Sequence, residues 1–260
     1  MFIEVLAGSN LKTGSVRNYV SAIATVLKWL NLPYQYCTHG KVSLMFRALD
    51  RSVTTVPVFK PIFHLDDIEK IMIACQRLPS PQLYKTLYSF AYFGFFRISN
   101  LVPTSLKSFH VSKHLCRGDI IIMPEYLVIL VKWSKTLQAS NQGSYIVIPK
   151  VQNSSICPYR LYLQLQCMAP AFNNAPCFLH LTEALVRLHL KKVLLFIKLD
   201  PSRYTFHTFR RSGATLAYNL GIEIEKIKRH GTWKSDSVNS YIVADPTIAT
   251  GVASTLQRLI

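Results

Sequence analysis

Acidic residues are scarce in this 260-residue chain, which contains 13 Asp and Glu against 30 Lys and Arg. The resulting formal net charge of +17 attracts polyanions, chiefly nucleic acid or an acidic membrane surface. Charge alone does not select between these partners, because many basic proteins share it. Half of the residues are hydrophobic, which excludes a wholly disordered chain and predicts one large or two smaller folded domains.

Cysteine pairs with the spacing of a metal site or a redox motif are also missing. The six cysteines are scattered, and no Cys/His group has the spacing of a zinc site. We therefore expect buried thiols in a reducing compartment and no zinc site. His110 and His114 are four residues apart, but the sequence places no further ligands beside them. We interpret both as surface histidines.

Long hydrophobic runs are absent as well. The most apolar stretches, "LYSFAYFGFF" and "YLVILV", are too short to span a bilayer. The N-terminal "MFIEVLAGSN" has no basic stretch before an apolar core, so we expect no secretory signal. These absences predict a soluble intracellular protein, in the nucleus if the source is eukaryotic and otherwise in the cytoplasm or nucleoid.

A change of pattern after the first fifty residues predicts a domain boundary. Apolar residues at helical spacing predict helices over 13–31 and 42–49. The following "RSVTTVPVFKPIF" is β-branched and contains two prolines, which is typical of an extended linker. We assign residues 1–56 to a small helical domain and residues 57–260 to a second domain.

The second domain combines helices with a few strands. Short β-branched runs at 119–123, 126–133 and 144–149, separated by polar turns, predict a small antiparallel sheet. Helical spacing predicts the other elements, at 64–78, 81–102, 157–168, 181–199, 205–220, 222–230, 235–242 and 247–260. The predicted fold class is mainly α with a small antiparallel β-sheet (α+β).

Two motifs near the C-terminus contain side chains suited to phosphate chemistry. His207 and Arg210, in "HTFRRSGAT", share one face of a predicted helix and offer an imidazole beside a guanidinium group. One guanidinium group can bind two phosphate oxygens at once. In an isolated His-x-x-Arg, however, the His more often caps the helix and the Arg is more often solvated. Tyr241 and Trp233, in "GTWKSDSVNSYI", could equally be packing residues. A tyrosine nucleophile needs nearby cations or a base, since a free phenol has a pKa of about 10.

Together with two earlier motifs, these residues resemble the tyrosine recombinases, the phage-integrase family. That family has His-x-x-Arg, then a His or Trp, then a nucleophilic Tyr. It also has an earlier Arg in a Gly-x-x-Arg-Ile-Ser turn and a Lys in a β-hairpin, which "YFGFFRISNLV" and "LVKWSKTLQ" supply as Arg97 and Lys135. The resemblance covers about residues 60–245. The helical block before it resembles the end of a SAM-like core-binding domain.

The resemblance implies a fold, an activity and a role for each of the six residues. The fold would be that of a tyrosine recombinase or type IB topoisomerase catalytic domain. Tyr241 would attack a DNA phosphate and form a 3′-phosphotyrosyl link, with no metal or cofactor. The other five would assist: Arg97 and Arg210 as charge stabilisers, Trp233 as a donor, His207 as the base and Lys135 as the acid for the leaving oxygen.

Two positions depart from the family pattern or leave it open. In the family an acidic residue usually follows the Arg-Ile-Ser turn, whereas this chain has Asn100 at that position. We expect this difference to weaken the preorganisation of Arg97. His230 is a second candidate for the His-or-Trp position, although Trp233 fits the spacing to Tyr241 better. The "WKSD" sequence is similar to recombinases of eukaryotic mobile elements such as DIRS-type retrotransposons.

A basic stretch beside the second motif predicts contacts with DNA. Residues 187–211 contain seven Lys and Arg and one acid. Such side chains bind backbone phosphates independently of sequence. We predict phosphate contacts for Lys191, Lys192, Arg203 and Arg211, while Lys191 and Lys192 could equally be a solvated helix face.

The sequence therefore predicts a site-specific recombinase or integrase that acts as a homotetramer on double-stranded DNA. A monomeric type IB topoisomerase that relaxes supercoils is the alternative with the same chemistry. A non-catalytic DNA-binding module from a decayed mobile element is the alternative from another class.

Overall fold

The computed structural model describes residues 2–8, 11–52, 61–133 and 143–243. Lys135, the helix predicted at 247–260 and most of the predicted linker lie outside these residues. The chain divides into two compact units, Met1–Phe59 and Lys60–Ile260. No helix in the described ranges is both long and apolar enough to cross a membrane.

The described part of the first unit contains four helices: α1 (Phe2–Gly8), α2 (Thr13–Trp29), α3 (Gln35–Thr38) and α4 (Gly40–Ser52). Val16 and Val20 lie one turn apart on α2 and are buried against Ile3 and Phe46. Arg17 pairs with Asp50 of α4 at 2.5 Å. A small apolar core and one surface ion pair thus join α2 to α4.

The second unit, over residues 61–133 and 143–243, is mostly helical with one sheet. Its helices are α5 (Leu65–Cys75), α6 (Pro81–Phe93), α7 (Ile98–Leu101), α8 (Pro158–Met168), α9 (Glu183–Phe196), α10 (Phe206–Asn219) and α11 (Ile224–His230). Its strands are β1 (Ile120–Ile122), β2 (Tyr126–Val131) and β3 (Ser144–Pro149). Three-residue to five-residue 3₁₀ turns occur at Leu106–Ser108, Arg117–Asp119 and Asp236–Ser240.

The three strands form an antiparallel sheet with β2 in the centre. Leu127 pairs with Ile148, and Ile129 pairs with Ile146. All four side chains are buried, whereas the alternating residues of β3 are exposed. This alternation places one face of the sheet against the core and the other towards solvent. The β-branched runs predicted the sheet, and its alternating burial is visible only in the structure.

Helix α6 runs through the core of the second unit. Leu87, Tyr88 and Phe90 are fully buried there, and the ring of Tyr88 stacks on that of Phe209 with centroids 4.9 Å apart. The Ser89 hydroxyl donates to the carbonyl oxygen of Ile156 at 2.7 Å. Because buried polar groups need partners, such bonds let an aromatic helix with occasional hydroxyls occupy the core.

Three local predictions were wrong. The helix predicted at 81–102 ends at Phe93, since Phe95 has a left-handed backbone (φ 50°), and the chain restarts as the short helix α7. The helix predicted at 235–242 is a 3₁₀ turn, which is capped by the Ser235 hydroxyl. His114 is buried against the ring of Phe109, not on the surface.

The cysteine prediction holds for four of the six side chains. Cys75, Cys116, Cys157 and Cys177 are buried, and all six cysteines are unpaired thiols. Cys167 is exposed, which the prediction of buried thiols missed, because it lies on the outer face of α8. Burial raises the pKa of Cys75 and of Cys177 to about 12, so these two thiols stay protonated at neutral pH.

Gly213 marks a close approach between α10 and α6. A Cβ at this position would clash with the backbone carbonyl oxygen of Tyr92 and with the ring of Phe95. The backbone oxygen cannot move without shifting α6. We therefore infer that the glycine is what allows α10, with its functional side chains, to approach α6.

Gly213→Ala is expected to destabilise the second unit by up to about 2 kcal/mol, because an overpacking cost of about 1–3 kcal/mol exceeds the roughly 1 kcal/mol by which Ala is the better helix former. Urea unfolding checks this. Gly14→Ala in α2 is the control, since a Cβ there meets nothing within 4 Å. A Gly213→Ala variant as stable as the wild type would contradict the close approach.

Candidate active site

Five of the six residues predicted to act in catalysis come together in the second unit. Arg97 precedes α7, His207 and Arg210 share one face of α10, Trp233 follows α11, and Tyr241 follows the last 3₁₀ turn. The backbone of each is held at the end of an element or on a packed helix. Four separate parts of the chain therefore supply one cluster.

Arg210 lies at the centre of this cluster and is 2% exposed. Its Nη1 donates to the carbonyl oxygen of Phe95, and its Nη2 donates to that of Gly231 at 2.7 Å. The guanidinium carbon lies 3.7 Å from the ring centroid of Trp233. Two carbonyls and one aromatic face hold the guanidinium plane in a single orientation.

Tyr241 lies beside the same guanidinium group. Its ring centroid is 5.4 Å from the guanidinium carbon of Arg210, 5.0 Å from the Trp233 ring centroid and 4.8 Å from that of His207. The Thr215 hydroxyl donates to the backbone carbonyl of Tyr241 at 3.2 Å. The tyrosine is thus fixed to α10 and placed next to an imidazole and a cation.

The cluster concentrates buried N–H groups that have no acceptor. Within the described residues, six buried side-chain nitrogen or oxygen atoms lack a hydrogen-bond partner, and four belong here. They are Arg97 Nη1, Arg210 Nε, Arg211 Nε and Trp233 Nε1. An unpaired buried donor costs about 1–3 kcal/mol, so native proteins rarely gather several without a functional reason. Donors of this kind suit an anion with several oxygens.

The electrostatics of the cluster also favour an anion. Burial, and to a lesser extent the nearby charge of Arg97, lower the pKa of Arg210 to about 9, although Tyr241 opposes the shift. Arg210 therefore keeps its charge at neutral pH, at a cost in stability that a bound anion would offset. Burial likewise lowers the pKa of Arg211, again opposed by Tyr241.

His230 contacts the segment that leads to Arg97, whereas Trp233 contacts Tyr241. Its Nε2 lies 2.7 Å from the carbonyl oxygen of Phe93, and its ring meets that of Phe95 edge-on at 4.7 Å. Burial lowers its pKa, and the charge of Arg210 adds to this effect. His230 therefore packs behind the loop that leads to Arg97, whereas Trp233 faces both Arg210 and Tyr241.

The four residues predicted to bind DNA differ in how exposed they are. Lys191, Lys192 and Arg203 are exposed, whereas Arg211 is half-buried and its Nη1 donates to the carbonyl oxygen of Pro61 at 3.2 Å.

Lys132, three residues before Lys135, pairs with Asp119 at 2.5 Å. No group of three or more His, Cys, Asp or Glu side chains in the described ranges is arranged to hold a metal ion.

Sequence reasoning missed the groups that hold the cluster in place. The carbonyls of Phe95 and Gly231 orient Arg210, and the Thr215 hydroxyl holds both the Tyr241 carbonyl and the backbone N–H of Val243. Every residue has a backbone carbonyl, so the sequence cannot indicate which carbonyls will bind Arg210. Thr215 follows Arg210 by five residues within "RRSGAT", but its partner lies on a distant segment.

The fold is similar to those of two solved DNA complexes. The XerH site-specific recombinase, in a post-cleavage complex with a palindromic difH substrate, matches with a TM-score of 0.56 at 16% identity, covering 75% of this chain and 52% of XerH. A Tn1549 transposon integrase in complex with transposon right end DNA matches with a TM-score of 0.50 at 14% identity, covering 96% of this chain and 86% of the integrase. The chain thus spans about half the length of XerH.

No protein-family model matches this sequence, and no curated protein sequence matches it either. The structural similarity confirms the predicted fold: a mainly helical unit with a small antiparallel sheet, of the kind found in these recombination proteins.

Proposed function

We propose that this chain is a DNA recombinase or integrase that breaks and rejoins DNA strands through a 3′-phosphotyrosyl intermediate. The observation that carries the proposal is the convergence around Tyr241 of a charged guanidinium, an imidazole and unpaired buried N–H donors. The shared fold with two proteins solved in complex with DNA supports it.

In the proposed cleavage step, the Tyr241 hydroxyl oxygen forms a bond to the scissile phosphorus, and the bond from phosphorus to the 5′ oxygen breaks. His207 takes the proton of the phenol, and Lys135 gives a proton to the departing oxygen. The 3′ phosphate remains on the tyrosine, so the energy of the phosphodiester is conserved. Attack by a 5′ hydroxyl reverses the steps and rejoins a strand.

Arg97 and Arg210 would stabilise the added charge of the transition state. Their N–H groups would bind the two non-bridging oxygens, and the indole N–H of Trp233 would donate to the same phosphate. Because Arg210 is already held by two carbonyls and the Trp233 ring, little reorganisation is needed when charge develops. This preorganisation is the part of the proposal that the geometry supports most directly.

We further propose double-stranded DNA as the partner and a homotetramer on DNA as the assembly. Double-stranded DNA would lie over the exposed Lys191, Lys192 and Arg203, and four copies would assemble on two duplexes. Residues 1–56 would act as a partial core-binding domain and residues 57–260 as the catalytic domain. We also propose an origin in a eukaryotic mobile element, on the similarity of "WKSD" alone.

A trapping experiment tests the proposal. Duplexes of randomised sequence, nicked at varied positions, are incubated with the protein in EDTA, because the proposed chemistry needs no metal. When the nick lies a few nucleotides beyond the scissile phosphate, a short 5′-hydroxyl fragment leaves and the protein stays bound. We expect a denaturation-resistant protein–DNA band.

Three other outcomes would change the conclusion. Tight DNA binding without any adduct would indicate a non-catalytic DNA-binding module. An adduct together with relaxation of supercoiled plasmid by the monomer would favour the type IB topoisomerase alternative. Absence of both binding and adduct would contradict the proposed function altogether.

A further inference from the structure

Asn100 connects two segments of the second unit through its side-chain amide. The residue is buried, with 7% exposed. Its Oδ1 accepts from the backbone N–H of Arg97 at 3.2 Å, and its Nδ2 donates to the carbonyl oxygen of Trp133 at 2.7 Å. One partner is a donor and the other an acceptor, so only this orientation of the amide satisfies both.

The second of these bonds holds the chain where it leaves β2. Trp133 is two residues beyond the end of that strand and two residues before Lys135. Its ring lies 4.4 Å from the Nζ of Lys113, while the preceding Lys132 is paired with Asp119 at 2.5 Å. The end of β2 is therefore held by the Asn100 amide, a cation against the Trp133 ring and a partly buried ion pair.

We propose that Asn100 is a positioning residue that ties the Arg97 segment to the end of β2, and that this tie requires an amide. The inference rests on the proposed function, in which Arg97 binds the scissile phosphate. It reverses the expectation that an acid at this position would hold Arg97 better. The reason is the chemistry of the Trp133 carbonyl, which needs a donor.

A carboxylate at position 100 could still accept from the Arg97 N–H, but it would place an oxygen against the Trp133 carbonyl oxygen. Two facing acceptors repel and leave a partly buried carbonyl without a partner. Lys113 and Lys132 line the same small cavity as Asn100 and would attract the carboxylate away from Trp133. The acid would thus keep one bond and lose the other.

Asn100→Asp and Asn100→Ala separate the two bonds, because Asp retains the acceptor for Arg97 and Ala retains neither group. We expect both variants to bind DNA with unchanged affinity and to form the covalent complex about 10–100-fold more slowly in single-turnover assays, since small misplacements of a catalytic group cost this much. Asn219→Asp, an exposed site on α10, controls for the added charge. We expect its rate to equal that of the wild type.

An Asp variant that cleaves at the wild-type rate would overturn the proposal, because Arg97 would then need only an acceptor. If the Asp variant does not fold, the Ala variant decides in the same way: an unchanged rate overturns the tie. Hydrogen exchange in free protein provides a measurement independent of cleavage. The tie predicts faster exchange over residues 126–133 in both variants.

Unchanged exchange in folded variants would also overturn the inference, even if the wild type forms no adduct. In contrast, a wild type that forms no adduct but shows the expected exchange difference would count against the proposed function alone. The two failures are therefore distinguishable.

Discussion

Tyr241→Phe is expected to abolish the covalent protein–DNA complex and to leave DNA affinity unchanged. The substitution removes only the phenolic oxygen, which is the atom proposed to bond to phosphorus. The contacts of the ring with Trp233 and His207, and the bond from Thr215 to the backbone, do not depend on that oxygen. Trapping on nicked DNA measures the first effect, and a binding titration at fixed salt measures the second.

The control for this substitution is Tyr218→Phe, a more exposed tyrosine on α10. We expect it to form the adduct at the wild-type rate. An adduct that persists in Tyr241→Phe would show that another residue is the nucleophile, and peptide mapping of the DNA-linked fragment would identify it. Lost DNA binding in Tyr241→Phe would instead indicate a packing role for the phenol.

Arg210→Lys is expected to slow formation of the adduct by about 10²–10³-fold, the cost of removing one preorganised donor at developing charge. Lysine keeps the positive charge but has no planar fork. It cannot donate to the carbonyls of Phe95 and Gly231, stack on Trp233 and still direct N–H groups at a phosphate. Single-turnover cleavage measures the loss.

Arg211→Lys is the comparison for this prediction, because Arg211 also has an unpaired Nε in the cluster but is only half-buried. Arg211 is the next residue on α10, and its Nη1 is directed towards the carbonyl oxygen of Pro61. We expect a much smaller effect on the rate than for Arg210→Lys. A near-normal rate for Arg210→Lys, or an equal loss for Arg211→Lys, would mean that charge matters in this cluster and guanidinium geometry does not.

Much of the local structure follows from the sequence. The β-branched runs of β2 and β3 and the helical spacing of α2 are local patterns, so the sequence predicts the type of each element. It does not predict the buried face of α2, where Tyr19 and Val26 are exposed and only Val16 and Val20 are buried. The spacing of His207 and Arg210 is also local, and it places both on one face of α10. The order of the motifs is a property of the sequence as well, and the predicted fold class is confirmed by the structural neighbours.

Other features could not be predicted, because they depend on contacts between distant segments. The break after Phe93 occurs in a stretch that is apolar enough to continue as a helix. It places the Phe95 carbonyl against Arg210, and it places Arg97 near enough that its charge lowers the pKa of Arg210. Similarly, nothing in the residue type of Asn100 indicates that it accepts from Arg97 and donates to Trp133.

The sequence by itself therefore determined which side chains are available, on which elements they lie and in what order they follow. Only the tertiary structure decided that Arg97, His207, Arg210, Trp233 and Tyr241 meet, and which backbone carbonyls hold them. The physical reason is that hydrophobic patterning acts over one or two turns. The direction of a guanidinium group depends instead on carbonyls and rings brought together by packing of the whole unit.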